Sequence, residues 1–103
     1  MAEDFSVDNV VCITHDNKSV SLFLADGKRL DNTVTYYHII RIIGDKFVRV
    51  NKNIIVNLAY AVKIDEKFIY MANDNKFNID SEYLKNATNE FYKLKLENFL
   101  PNG

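Results

Sequence analysis

The 103-residue chain is expected to be mainly β, with one short internal helix at about 34–43 and a C-terminal helix at about 81–97. Three observations predict this. Short apolar blocks, many with period two, run from Val10 to Leu30 and again from Phe47 to Ile79. Polar breaks rich in Asn, Asp and Gly separate them, which is the turn chemistry of antiparallel hairpins. Two segments instead space their apolar residues helically: Tyr36, Ile39, Ile40 and Ile43, then Tyr83 or Leu84, Ala87, Phe91 and Leu94.

Val10 to Thr14 suits a buried strand, His15 to Lys18 a polar turn, and Ser19 to Leu24 the returning strand. Ala25-Asp26-Gly27-Lys28 is a hairpin signal, because Gly27 can adopt the positive φ that tight hairpins require. Asp31-Asn32-Thr33 offers side-chain oxygens to cap the first helix, and Gly44 is placed to end it in a left-handed conformation. Phe47, Val48 and Val50 form a strand, Asn51-Lys52-Asn53 a break, and Ile54 to Val56 the next strand. Ala59 to Ile64 and Lys67 to Met71 flank Asp65-Glu66 as a hairpin. Ala72 to Lys76 turns the chain into a last short strand, Phe77 to Ile79. Asp80 or Ser81 then caps the closing helix, and Pro101-Asn102-Gly103 reads as a frayed end. The length and the lack of a linker or repeat predict a single domain over residues 1–103.

Thirteen basic and fourteen acidic residues give a formal net charge of -1, so a nucleic-acid binder would have to gather its cations on one face. The lone Cys12 can form no internal disulfide or Cys-x-x-Cys pair, and its apolar neighbours suggest a buried role. No apolar run is long enough to span a bilayer, and the acidic start (Glu3, Asp4, Asp8) is unlike a signal peptide. A cytoplasmic location is expected, with no membrane partner.

Enzyme chemistry has little material here, and none is expected. His15, in a polar turn, is read as an exposed surface residue, and His38, inside the isoleucine-rich helix, as structural. The scattered glycines build no phosphate loop, and Asp65-Glu66 at a hairpin tip need only water. No catalytic residue, cofactor, metal or small-molecule substrate is expected. The aromatic residues could stack on bases, but Phe23, Phe47, Phe68, Tyr70, Phe77 and Phe91 sit in apolar patterns that core packing explains better. More informative is a local cationic excess: Arg41, Lys46, Arg49 and Lys52 against Asp45 alone. Lys52 lies between two asparagines, which offer donors to phosphates and to an adenine edge.

The stretch from Asp45 to Leu58, DKFVRVNKNIIVNL, resembles the most characteristic segment of the LytTR DNA-binding family, a Phe-x-Arg strand leading through a polar loop to an apolar strand ending in Val-Asn. Val10 to Leu30 resembles the family's early strands, Tyr36 to Ile43 its helix, Ala61 to Ile64 the strand after Val-Asn, and Tyr83-Leu84-Lys85 the final helix start. The resemblance covers roughly residues 7–90. It implies an elongated stack of small antiparallel sheets that presents loops to successive DNA grooves, as the output domain of bacterial response regulators that bind promoter repeats as dimers. Implied contacts are Lys18 and Val20 in the first loop, Arg49 to Asn53 in the second, and Ser81 and Glu82 in the third.

The chain departs from the family pattern in two loops. Asn51, Lys52 and Asn53 replace a histidine, a basic residue and a serine, and Asp80-Ser81-Glu82 aligns with Ser-Arg-Arg. An arginine–guanine pair contributes about 1–3 kcal/mol of discrimination, which Ser81 cannot supply. The family's opening hairpin and a preceding receiver domain are not seen, so a free-standing domain with an uncovered sheet edge is expected. The expected function is sequence-specific binding of double-stranded promoter DNA as a transcription regulator. Its DNA-binding set is Lys18, Lys46, Arg49, Asn51, Lys52, Asn53 and Ser81, with Lys18 and Lys46 on phosphates. The alternative is a LytTR-like protein-interaction module or inhibitor that no longer binds DNA, with a second copy or a LytTR-containing protein as partner.

Overall fold

The computed structural model describes residues 5–99, so the acidic start at Glu3 and Asp4 and the chain end after Phe99 lie outside the described residues. The strands are β1 (Val10–His15), β2 (Val20–Leu24), β3 (Arg29–Asp31), β4 (Phe47–Asn51), β5 (Ile54–Asn57), β6 (Ala61–Ile64), β7 (Phe68–Met71) and β8 (Lys76–Asn78). The helices are α1 (Tyr36–Ile42), between β3 and β4, and α2 (Ser81–Phe99) at the end, and 3₁₀ turns cover Val7–Asn9 and Leu58–Tyr60. One antiparallel sheet has the order β3-β2-β1-β5-β4 and the other β6-β7-β8. The expected mainly β class with two helices is what forms, in a body measuring 41 × 33 × 25 Å.

The larger sheet is buried on both faces, which explains why β1 reads as an unbroken apolar run. One face packs Val11, Cys12, Val48, Val50 and Val56 against the smaller sheet and the Ala87–Phe91 side of α2. The other packs Val10, Ile13, Val20, Leu22 and Ile55 around Ile39 of α1. Burying each such side chain stabilises the fold by about 1.5–3 kcal/mol. Bulges interrupt β1 between Val10 and Cys12 and β4 between Arg49 and Asn51. The second one matters for the site. An extra residue reverses the alternation, so that Val50 and Asn51 are both buried while Arg49 faces α1.

Several expectations are corrected. Helix α1 forms within the expected 34–43, but Asp31 and Asn32 do not cap it, because β2 takes them up. The Ser21 hydroxyl donates to Asp31, and Asn32, at φ 57, exchanges hydrogen bonds with the Val20 backbone. Thr35 caps the helix instead, its hydroxyl accepting from the His38 amide at 3.1 Å. Gly44 does not stop it in a left-handed conformation: Ile43 has already turned extended, at φ -76 and ψ 149, to reach the core beneath α1. Of the expected stripe, Ile40 faces solvent. Gly27 does take the positive φ of its hairpin, at 93°. Phe68 and Tyr70 join neither core. They lie on the outer face of β7, with the Lys76 ammonium 4.3 Å from the Phe68 ring and the Lys63 ammonium 5.1 Å from the Tyr70 ring.

Candidate nucleic-acid interface

Three loops meet at one end of the larger sheet. The first is the β1–β2 turn. Its Asp16 carboxylate accepts from the amides of Lys18 at 2.8 Å and Ser19 at 2.9 Å, and the Asp16 amide donates to the Ser19 carbonyl. Those backbone donors hold the Asp16 carboxyl below the usual carboxylate range. The turn is thereby fixed with the Lys18 side chain exposed.

The second loop joins β4 to β5 and is bound to the first. The His15 amide donates to the Asn53 carbonyl at 2.9 Å, and the Asn53 side-chain amide donates back to the His15 carbonyl at 2.8 Å. Asn51 ties the loop to the third segment: its amide nitrogen donates to the Asn78 carbonyl and its oxygen accepts from the Asn53 amide, each at 3.0 Å. The third segment opens α2. There the Asp80 amide donates to the Val50 carbonyl at 2.9 Å, leaving Ser81 and Glu82 exposed. Burial, and then the neighbouring Glu82 carboxylate, push the Tyr83 phenol upward in pKa.

Beneath the second loop lies Arg49. Its Nη1 donates to His15 Nε2 at 2.9 Å and to the carbonyls of Lys52 at 3.0 Å and Asn51 at 3.3 Å, and its Nη2 donates to Tyr36 Oη. The guanidinium also lies 5.8 Å from the Tyr36 ring centroid. Among the described residues no carboxylate pairs with it, so a half-buried positive charge stays unneutralised directly under Lys52.

The residues expected to touch DNA therefore do not form one set. Lys18, Lys52 and Ser81 present exposed side chains at this end. Arg49 and Asn51 instead spend side-chain hydrogen bonds on shaping the loops, Asn51 being only 8% exposed because the β4 bulge turns it inward, while Asn53 uses its side-chain nitrogen in the same way and stays exposed. Val20 is in the core beneath α1 and offers nothing to a ligand. Lys46 precedes β4, about 20 Å along the strand from Lys52 at a strand's rise per residue. There it borders a cleft with Glu90, Lys93 and Glu97 on α2. His15 is half-buried at the end of β1, not an exposed turn residue, and burial and Arg49 lower its pKa. Neither His15 nor Tyr36 was marked by the sequence as part of the site. The available signal was Tyr36 on the inner stripe of α1, facing the same side of the sheet as Arg49.

The sequence profile of the LytTr DNA-binding domain family matches residues 4–91. The chain belongs to the LytTR family. No curated protein matches it. Among solved structures, the LytTR fold is shared with a domain described as the LytTr DNA-binding domain of a methyl-accepting/DNA response regulator from Bacillus cereus. That structure superposes with a TM-score of 0.70 at 13% identity, over 84% of each chain. LytTR is a family of DNA-binding domains and not of enzymes. Among the described residues no cluster of metal-ligating side chains exists, and no helix is long and apolar enough to cross a membrane.

Proposed function

We propose that this LytTR chain, acting as one domain, binds double-stranded promoter DNA sequence-specifically as a bacterial transcription regulator. The observation that carries the proposal is the convergence of the three loops, cross-tied by His15–Asn53, Asn51–Asn78 and Val50–Asp80, around the exposed Lys52. Loops fixed by backbone hydrogen bonds lose little conformational entropy on binding, so their side chains can be aimed at a groove at modest cost. Lys18 and Lys52 would neutralise phosphates from adjacent loops, with the unpaired charge of Arg49 supporting Lys52 from below. Asn53 shapes the second loop and exposes its edge, and Ser81 supplies a neutral hydroxyl where Glu82 repels phosphate.

Selection from a random pool of duplexes tests this. A repeated enriched motif protected by the protein is the expected result, and two copies of the motif at fixed spacing would indicate a homodimer. An unenriched pool would refute the sequence-specific regulator.

A second proposal, an interaction module that has exchanged DNA for a LytTR-containing protein, is favoured by one feature. Asp16, Asp80 and Glu82 match Lys18, Arg49 and Lys52 in number at this end, so the positive field there is weak. Inhibition of such a partner's DNA binding, by a protein that itself enriches no duplex, is the outcome that selects it.

A further inference from the structure

We propose that His15, Tyr36 and Arg49 form a positioning unit that sets the height of Lys52 over DNA, and that the unit operates only while the His15 ring is neutral. This rests on the DNA-binding function proposed above and adds a condition under which that function is expressed.

The chemistry of the contact dictates the protonation state. A guanidinium has donors and no acceptor, so the 2.9 Å approach of Arg49 Nη1 to His15 Nε2 requires a lone pair on that nitrogen. The ring proton then sits on Nδ1. The same Nη1 donates to the Lys52 carbonyl, and Nη2 is held by the Tyr36 hydroxyl on α1. One guanidinium thus joins β1, α1 and the β4–β5 loop, and its plane is fixed only if both side-chain acceptors are in place.

Protonating His15 converts an acceptor into a second donor and sets two cations in contact. The groups facing the ring offer little relief. Arg49 from β4 is cationic, and the Tyr36 ring from α1, with centroids 4.5 Å apart, is uncharged. Asp16, next to His15 in the chain, is the one carboxylate acting on it, and its Oδ1 is already occupied by the Lys18 and Ser19 amides. Burial and Arg49 hold the imidazole below its ordinary value of 6.5, with Asp16 opposing them. As the pH falls through the lowered value of the folded ring, the imidazole is forced out and the Lys52 carbonyl loses its fixed donor, while the added positive charge favours indiscriminate phosphate contact. Sequence discrimination should therefore fall in acid although total DNA affinity does not.

Two measurements on the whole chain test this together. The first titrates His15 by NMR without DNA, in the wild type and in Tyr36→Phe. The expected result is an Nδ1–H tautomer at pH 7.5, with the Lys52 and Asn53 amide shifts following the ring titration and no such tautomer preference in Tyr36→Phe. A ring protonated on Nε2, or loop amides indifferent to its titration, overturns the proposal whatever the DNA result.

The second compares binding to a duplex selected at pH 7.5 with binding to a scrambled duplex, from pH 8 down to the pH at which the first measurement shows the His15 ring protonated. Discrimination should drop roughly tenfold on acidification, the loss of about one charge-assisted hydrogen bond. His15→Gln keeps an acceptor that cannot titrate, so it should retain neutral-pH discrimination and flatten the profile. Identical pH profiles for the wild type and His15→Gln contradict the proposal. If no duplex is selected, the regulator function fails, and the NMR arm alone decides the positioning unit.

Discussion

Asn57, the residue that ends the Val-Asn motif, is 2% exposed and lies at the opposite end of β5 from the β4–β5 loop. Its amide nitrogen donates to the Val10 carbonyl and its oxygen accepts from the Ala59 amide, each at 2.9 Å, so it locks the exit of β5 against the start of β1. Asn57→Ala should destabilise the fold by about 1–3 kcal/mol, because the buried Val10 carbonyl loses its partner and the part-buried Ala59 amide loses its acceptor. Urea unfolding of the variant measures this, and a loss under about 0.5 kcal/mol would contradict the assigned role. Lys52→Ala should leave the same unfolding curve unchanged, since its side chain is exposed and no hydrogen bond or ion pair holds it among the described residues. The sequence distinguished these residue roles only in part. Lys52 was legible as an exposed loop cation because charge and flanking asparagines suffice for that. Arg49 and Asn51 read in the sequence only as ligand contacts because their own partners, Tyr36, His15 and Asn78, are distant in sequence, and a bulge that reverses the alternation leaves no local mark.

At the scale of elements, α1 is the weakest link and the most consequential. It is a seven-residue helix with one buried residue, Ile39, at 0% exposure. So short a helix gains little from its own hydrogen bonds and depends on packing for its stability. Ile39→Ala should cost about 2–5 kcal/mol and also release Tyr36 from Arg49. Amide exchange should then show α1 and the β4–β5 loop opening together, whereas exchange confined to α1 would mean that the two are uncoupled. Elements were the most legible scale in the sequence, because period two, period 3.6 and hairpin residues are local signals. The boundaries that failed were those set by tertiary pairing. Asn32 bonds to β2 instead of capping α1, and Ile43 extends toward its core before Gly44 is reached. Phe68 and Tyr70 looked like core residues because alternation does not say which face of a three-stranded sheet is covered.

The whole molecule has a stability window bounded by two groups. Burial raises the Cys12 thiol from 9.0 to about 11, so the folded state favours the neutral thiol and loses stability as the pH rises from 9.0 toward about 11. The full effect is about 2–3 kcal/mol. His15 works in the opposite direction. Its folded pKa lies below the unfolded 6.5, so unfolded chains take up the proton first and stability falls as the pH drops below 6.5. Chemical denaturation should therefore show a plateau between about pH 6.5 and 9, and Cys12→Ser should weaken the alkaline decline. A midpoint still rising at pH 10 would contradict the burial argument for Cys12.

The net charge of -1 and the balanced charges at the loop end make a quantitative demand on DNA binding. In the proposed complex only two exposed lysines, Lys18 and Lys52 on the first and second loops, would meet phosphates, so one protein copy should release few counterions. The most direct measurement is a salt titration of binding to an AT-rich duplex, with Lys52→Glu alongside. For one bound copy the expected log–log slope is about -2, reduced by about one in Lys52→Glu, with affinity at low salt at least about tenfold weaker. Equal slopes and affinities for the two proteins, or no binding by the folded wild type at low salt, would contradict DNA recognition through the Lys52 loop.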